Sequence, residues 1–353
     1  MLRRFYFIRM IFTKDKLAQL DQLLASANKI VITAHKSPDG DSIGSSLALY
    51  HYLNQTYSNV IICHPDKAPH FLHWMEDFNA IITHEENEAA VVSALHTADL
   101  IFCLDYNSPG RIGKMDDLLE KAKAKRVMID HHRDPNPDFV DLMFSDPTVC
   151  STAQLIYELI EAREDLKKIN KAVGEAIYTG IITDTGSFRF SSVTPKTHLI
   201  AAHLIENGLE HSKVHENIFD TNTENRIKLT SYALLEKLVV LREYQTAYIS
   251  LTKEEQERFS AAKGDTEGLV NQVLALAGIK MAIFFKEADG LIKISFRSTG
   301  SIPVNNLARN NFRGGGHLNA SGGKFVGKMN DAIERFVTIL PNFVEENKSC
   351  FNE

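Results

Sequence analysis

Three short apolar runs, each ending abruptly on acidic or histidine residues, constrain this chain more than anything else in it. Lys29–His35 (KIVITAH), Ala98–Asp105 (ADLIFCLD) and Arg126–Asp130 (RVMID) carry aliphatic and β-branched residues without polar alternation, and Asn59–Cys63 (NVIIC) is a fourth run of the same kind. A strand that is apolar on both faces needs cover on both faces, which is the situation inside a parallel sheet flanked by helices. Helical spacing fills the gaps, as in Ser42–Tyr57 with Ile43, Leu47, Leu49, Tyr50 and Leu53. The alternation predicts an α/β domain with a parallel sheet. In such sheets ligands bind beyond the carboxyl ends of the strands, and the polar clusters of this chain begin there.

The second half has another character. Helical patterns cover Thr152–Ala162, Lys168–Thr183, Pro195–Asn207 and Thr223–Val240. Strand-like runs then follow at Tyr244–Leu251, Lys280–Lys286 and Leu291–Arg297, with the turn ADG (Ala288–Gly290) between the last two. A length of 353 residues suits about two domains. The expected division is an α/β domain over 13–215, a helical connector over 216–242 and a smaller α+β domain over 243–345.

Composition excludes several classes. Hydrophobic residues at 44% and charged residues at 24% are ordinary globular values. Lys+Arg 39 against Asp+Glu 45 leaves a net charge of −6, which excludes a bulk electrostatic binder of long nucleic acid but not a local basic face. Cys63, Cys103, Cys150 and Cys350 form no C-x-x-C pair, so neither a disulfide framework nor a cysteine-rich zinc module is expected. The start, MLRRFYFIRMIF, has its apolar run broken by Arg9 and reads as a short leading strand or tail, with Met10 a second candidate start. No apolar stretch approaches the roughly 18 residues of a membrane span. A soluble, cytoplasmic protein is expected.

Four segments carry the chemistry. His35, Asp39 and Asp41 lie in HKSPDGDSIGS, between a strand and the helix that follows it. Hard oxygens and an imidazole on a bendable turn suit a divalent cation; the plain alternative is an Asx turn with Asp41 capping the helix. Asp105 ends its strand before YNSPG, and Asp130-His131-His132 follows RVMI; a strand-ending turn and a solvated loop pair are their alternatives. Asp184, in GIITDTGSF, sits where a helical run stops. A carboxylate there opposes the helix dipole unless a cation neutralises it, while a simple helix stop at Gly186 is the alternative. Together His35, Asp39, Asp41, Asp105, His131 and Asp184 are an inventory for two divalent metals sharing one carboxylate. Such a pair, about 3.5–4 Å apart, catalyses in-line phosphoryl displacement. Imidazole plus carboxylate suits Mn²⁺ best, with Fe²⁺, Mg²⁺ and Co²⁺ behind it.

A fifth segment is basic. From Leu291 to Asn330 there is no Asp or Glu, while Lys293, Arg297, Arg309, Arg313, Lys324 and Lys328 all fall within it. Its centre, NFRGGGHLNASGG, reads as a glycine-rich loop whose backbone N–H groups approach a phosphate. The alternative is a flexible surface loop on a merely basic face.

The order HKSPDGDSIGS, Asp105 after a strand, Asp130-His131-His132, TDTGSF, and finally RGGGHLNASGG resembles the DHH phosphoesterase family with its DHH-associated C-terminal domain, over roughly residues 20–345. The two-domain length looks most like the bacterial nano-RNase type. That resemblance implies a parallel-sheet domain facing a smaller domain across a cleft, and hydrolysis of short RNA oligonucleotides to mononucleotides together with removal of phosphate from 3′-phosphoadenosine 5′-phosphate (pAp). It implies that His35 and Asp39 hold one metal, that Asp41, His131 and Asp184 hold the other, and that Asp105 bridges them. His132 would face the substrate phosphate, as proton donor or electrostatic stabiliser. Arg297, Arg309, His317, Ser321 and the backbone of Gly314, Gly315 and Gly316 would hold the substrate's terminal phosphate or next nucleotide. A homodimer is compatible with the family. Rival readings are a phosphodiesterase of linear or cyclic dinucleotides, an exopolyphosphatase or pyrophosphatase, and a catalytically dead nucleotide-binding protein; the last is disfavoured because all six metal-ligand positions are filled.

Overall fold

The computed structural model describes residues 11–288 and 290–352. The leading segment up to Met10, and Asp289 of the ADG turn, lie outside the described residues. The chain divides into two compact units, one ending at Thr221 and the other beginning at Asn222.

The first unit holds six strands: β1 (Ile30–Ala34), β2 (Val60–His64), β3 (Ile81–Thr83), β4 (Leu100–Leu104), β5 (Lys125–Asp130) and β6 (Leu142–Ser145). They pair in the order β3-β2-β1-β4-β5-β6, every pairing parallel. The apolar runs follow from burial on both sides. Ile30 and Ile32 of β1 and Leu100, Phe102 and Leu104 of β4 enter one core, whereas Val31, Ile101 and Cys103 enter the other. Helices α1 (Lys14–Ser26), α2 (Gly40–Asn54), α3 (Glu88–His96), α4 (Asp116–Lys121), α5 (Thr152–Ala162), α6 (Lys171–Asp184), α7 (Pro195–Glu206) and α8 (His211–Phe219) complete the unit. Residues of α1, α2, α5 and α6 fill the first core and those of α3 and α4 the second. The strand order turns back on itself between β1 and β4, so a crevice opens beyond their carboxyl ends.

Two edge strands, β3 and β6, escaped the sequence reading. At three and four residues they are too short to show a period, and edges of sheets are often kept short.

The second unit is built on a mixed sheet of β7 (Val239–Leu241), β8 (Thr246–Leu251), β9 (Met281–Ala288), β10 (Leu291–Ser298), β11 (Gly315–Gly316) and β12 (Ala320–Phe325), ordered β11-β12-β10-β9-β8-β7. Strands β9 and β10 are antiparallel with Ala288 opposite Leu291, so they form the expected hairpin. Helices α9 (Glu224–Glu236), α10 (Lys253–Arg258), α11 (Leu269–Leu274), α12 (Val304–Asn311), α13 (Met329–Glu346) and α14 (Lys348–Asn352) accompany it. The helix read over Thr223–Val240 stops at Glu236, and Val239–Leu241 becomes a strand beside β8. Leu229 and Ala233 of α9 are fully buried in this unit's core. Among the described residues, no helix is long and apolar enough to cross a membrane.

Candidate metal centre

The carboxyl ends of β1, β4 and β5 deliver three of the four chemistry-bearing segments to one place, and the end of α6 brings the fourth. His35 Nε2 lies 3.6 Å from Asp39 Oδ2 and 3.2 Å from Asp105 Oδ2. His131 Nε2 lies 3.7 Å from Asp41 Oδ2, 3.4 Å from Asp105 Oδ1 and 3.4 Å from Asp184 Oδ2. Among the donor groups so formed are His35–Asp39–Asp105 and Asp41–Asp105–His131, and Asp105 belongs to both of these as well as to a further group with Asp130 and His132. The site residues inferred from sequence in this unit are all brought together.

Local structure explains each placement. Asp39 caps α2, its Oδ1 accepting from Asp41 N at 3.1 Å and Ser42 N at 3.0 Å, which leaves Oδ2 toward His35. The capping role foreseen for Asp41 falls to Asp39 instead. Asp41 serves a different helix: its carboxylate accepts from Thr152 N at 2.6 Å and Ala153 N at 2.8 Å, the first residues of α5. Asp105 continues the strand ladder through its N–H to Ile129 O at 3.1 Å and then adopts a left-handed conformation, φ +61°. An aspartate tolerates that region better than most residues, and such strain at a strand end is a hallmark of functional positions. Thr152 Oγ1 donates to Asp105 Oδ1 at 2.9 Å. Sequence reasoning missed Thr152, although its place at the head of a predicted helix was a usable signal.

The histidines are oriented from behind. His35 Nδ1–H donates to Lys36 O at 2.8 Å and His131 Nδ1–H to Val149 O at 3.3 Å. Each ring therefore turns Nε2 toward the carboxylates, the arrangement typical of metal-ligating imidazoles. His132 differs. Its Nδ1–H donates to Asp130 Oδ1 at 2.7 Å and its backbone N–H to Asp130 Oδ2 at 3.1 Å, so the first residue of the triplet fixes the third.

Protonation behaviour reports crowded charge. Burial pushes the Asp41 carboxyl up, and the nearby charges of Asp105 and Asp184 push it further, so it sits well above the usual carboxylate range. Burial also opposes ionisation of Asp105, but hydrogen bonds from His131 and His35 outweigh it and hold this carboxyl well below the usual range. His35 and His131 are pulled down by burial yet end well above an ordinary histidine, the first through Asp39 and Asp105 and the second chiefly through Asp105 and Asp184. Buried carboxylates packed around imidazole nitrogens demand either protons or cations. The donor set, hard oxygens with one imidazole per group, fits divalent cations of the Mn²⁺ and Mg²⁺ type.

In the second unit Arg297 lies on β10, Arg309 is exposed on α12, and His317 follows β11. The glycine segment is more ordered than a loop. Gly315–Gly316 pairs with Ser321 and Gly322, and β12 lies between β11 and β10. The glycines permit this close packing: a side chain on Gly314 would run into the Gly322 carbonyl, and Gly316 has φ +135°. Ser321 is buried and donates its hydroxyl to His317 O at 2.8 Å, bracing the turn that carries His317.

A parallel sheet with cation-donor groups gathered at its switch point, followed in the chain by a separate mixed-sheet unit, is the class of architecture the described residues define. Residues 29–181 match the N-terminal domain of the DHH family and residues 243–346 match the DHHA1 domain. The chain belongs to the DHH family of phosphoesterases. It is 30% identical to the bifunctional oligoribonuclease and PAP phosphatase NrnA of Bacillus subtilis, over 94% of this chain and 99% of that protein. The protein of the same description from Thermus thermophilus is 28% identical over 89% of each chain. The cyclic-di-AMP phosphodiesterase PdeA of Listeria monocytogenes is 26% identical, but this chain covers only 45% of it. Among solved structures, an exopolyphosphatase-related protein from Bacteroides fragilis superposes with a TM-score of 0.89 at 38% identity, covering 97% of this chain and 98% of that one.

Proposed function

We propose that the protein is a metal-dependent phosphohydrolase that degrades short oligoribonucleotides to mononucleotides and also removes a phosphate from pAp. The observation that carries this reading is the pair of donor sets sharing Asp105, in a chain similar over nearly its whole length to the oligoribonuclease and PAP phosphatase of Bacillus subtilis. His35 and Asp39 would hold one cation, Asp41, His131 and Asp184 the other, with Asp105 common to both; Mn²⁺ is the cation we assign. When bound, such a pair supplies a water of lowered pKa and stabilises charge on the phosphoryl oxygens. Thr152 and the first backbone N–H groups of α5 hold the carboxylates of Asp105 and Asp41 in place. His132, fixed by Asp130, faces the phosphate. Arg297, Arg309, His317 and the Gly314–Gly316 backbone take the far phosphate or the next nucleotide, where cationic donors suit a phosphate best. Three of the four cysteines are buried and all four are free thiols, in keeping with action in a reducing cytoplasm.

The test is hydrolysis of 5′-labelled RNA from dinucleotide length to about twenty-four residues, with pAp and a cyclic dinucleotide alongside, in Mn²⁺ and then in EDTA. Turnover concentrated on the shortest RNAs and on pAp, and abolished by EDTA, is expected. Turnover confined to the cyclic dinucleotide or to long RNA would discard the substrate assignment.

A further inference from the structure

Arg111 stands beside the metal centre without a carboxylate of its own. It lies on the 3-10 segment Pro109–Met115, just downstream of Asp105. The stretch from Asn107 to Arg111 is stitched to both neighbouring loops. Arg111 O accepts from Lys36 N at 2.8 Å, the residue next to His35. On the other side, Asn107 Nδ2 donates to Arg133 O at 2.6 Å and Asn107 O accepts from Asn136 N at 2.8 Å, both just beyond His132. Ile112 and Met115 are fully buried and anchor the turn from beneath. The side chain is presented from a stiff platform between the loops that carry His35 and His132.

Among the described residues, the guanidinium makes one hydrogen bond, from Nη2 to His132 Nε2 at 3.1 Å. A guanidinium only donates, so Nε2 offers its lone pair there, in agreement with a proton on Nδ1 that goes to Asp130. No carboxylate of the described residues lies within 4.0 Å of the guanidinium, although Asp105 and Asp130 belong to the same centre. A permanently charged, half-buried group whose single protein hydrogen bond goes to one imidazole nitrogen keeps most of its five donors for something else. Its fork geometry matches two oxygens of a phosphoryl group.

We propose that Arg111 is a phosphoryl-binding residue that holds the non-bridging oxygens of the scissile phosphate on the side of His132. The assignment rests on the phosphohydrolase reading above and adds to it a residue that no sequence motif had singled out. In the free protein the guanidinium rests on His132 Nε2. A phosphate oxygen, being charged, is the stronger acceptor, so substrate draws the guanidinium away and leaves the Nε2 lone pair free to face the reacting group. Held rigidly by its platform, Arg111 needs little reorganisation as negative charge grows on the phosphoryl oxygens, which is where fixed donors contribute most.

The experiment compares wild type, Arg111→Ala and Arg111→Lys as Mn²⁺-loaded full chains. Three quantities are read: Mn²⁺ content, affinity for inorganic phosphate by titration calorimetry, and kcat and KM on pAp. Arg111→Ala is expected to keep its Mn²⁺ content, to bind phosphate about tenfold or more weakly, and to lose kcat by about 10²–10³-fold. Added guanidinium ion should restore part of that rate, and Arg111→Lys should fall between the two because it keeps the charge without the fork. Phosphate affinity equal to wild type in Arg111→Ala would overturn the proposal. Loss of Mn²⁺ from that variant would also overturn it, showing a structural brace rather than a ligand for phosphate. A wild type that binds phosphate through Arg111 but turns over neither RNA nor pAp would sink the substrate reading and leave this assignment standing.

Discussion

Asp41 and Asp105 are both buried carboxylates, yet their surroundings push them in opposite directions. Asp41 rests on backbone N–H groups and meets two other acids, whereas Asp105 is flanked by two imidazoles. Across neutral pH the signs add simply. His35 and His131 have folded-state pKa values raised above the unfolded value of about 6.5. Their contribution to the metal-free protein is therefore complete below that pH and lost as pH rises through the folded values. Asp41 is raised as well and acts in the same sense. Asp39 and Asp105 are lowered, so their stabilisation is lost only in acid. EDTA-treated protein should melt at lower temperature as pH is raised from about 6 to 9, and Mn²⁺ should remove most of that dependence by replacing the protons. Mn²⁺ binding should also release protons, read as calorimetric heats that depend on the buffer's ionisation enthalpy. Heats independent of buffer, or a metal-free melting temperature that climbs over this range, would contradict the account. Asp105 itself belongs to both donor sets. Asp105→Ala should lower hydrolysis at saturating Mn²⁺ by more than the roughly 10–100-fold typical of outer-shell partners, and near-wild-type turnover would refute its bridging role.

At the scale of elements, the metal centre depends on how closely α2 and α6 approach, because they carry Asp41 and Asp184. A side chain on Gly44 would place its Cβ 2.5 Å from Ala176 O and 2.9 Å from Gly180 N, backbone atoms of α6 that cannot step aside. Gly44→Ala should therefore cost about 1–3 kcal/mol of stability through overpacking and weaken Mn²⁺ affinity with it. Gly174 lies on the same helix α6, where an added Cβ meets only Leu204 and Ile169 at 3.7 and 3.9 Å. Gly174→Ala should be neutral or stabilising by up to about 1 kcal/mol. Urea melts of the two variants check the contrast, and equal effects would show that helix propensity rather than helix approach governs both. The same elements show what the chain discloses on reading. Strands β1, β4 and β5 are legible because burial on both faces makes them continuously apolar, and the ligands stand where those runs stop. Strands β3 and β6 are not, being short edges, and β12 hides because glycines at 322 and 323 erase any alternation. Thr152, at the head of a legible helix, and Arg111 both meet partners far away in sequence, Asp105 and His132, so what each one touches cannot be read from its neighbours along the chain.

At the scale of the whole chain, chemistry is divided between two units. The acids and histidines of the metal centre lie before Thr221, and the acid-free span Leu291–Asn330 lies after it. A net charge of −6 conceals this segregation. A metal centre alone would hydrolyse any small phosphate ester that reached it, so preference for a nucleotide has to come from groups that bind away from the reacting phosphorus. Binding energy from such remote parts shows in KM, and in kcat when it is used to position the reacting group. Arg309, exposed on α12, and His317, held on its turn by Ser321, are the groups to which this role is assigned. The double variant Arg309→Ala with His317→Ala should raise KM for a diribonucleotide by at least about tenfold, the effect of losing some 1.4 kcal/mol of binding. KM for an aryl phosphate ester, which has no second phosphate to offer, should change little, and Mn²⁺ content should not change at all. Equal increases for both substrates would mean that the second unit does not discriminate nucleotides, and the preference for short RNA would then have to reside in the first unit alone.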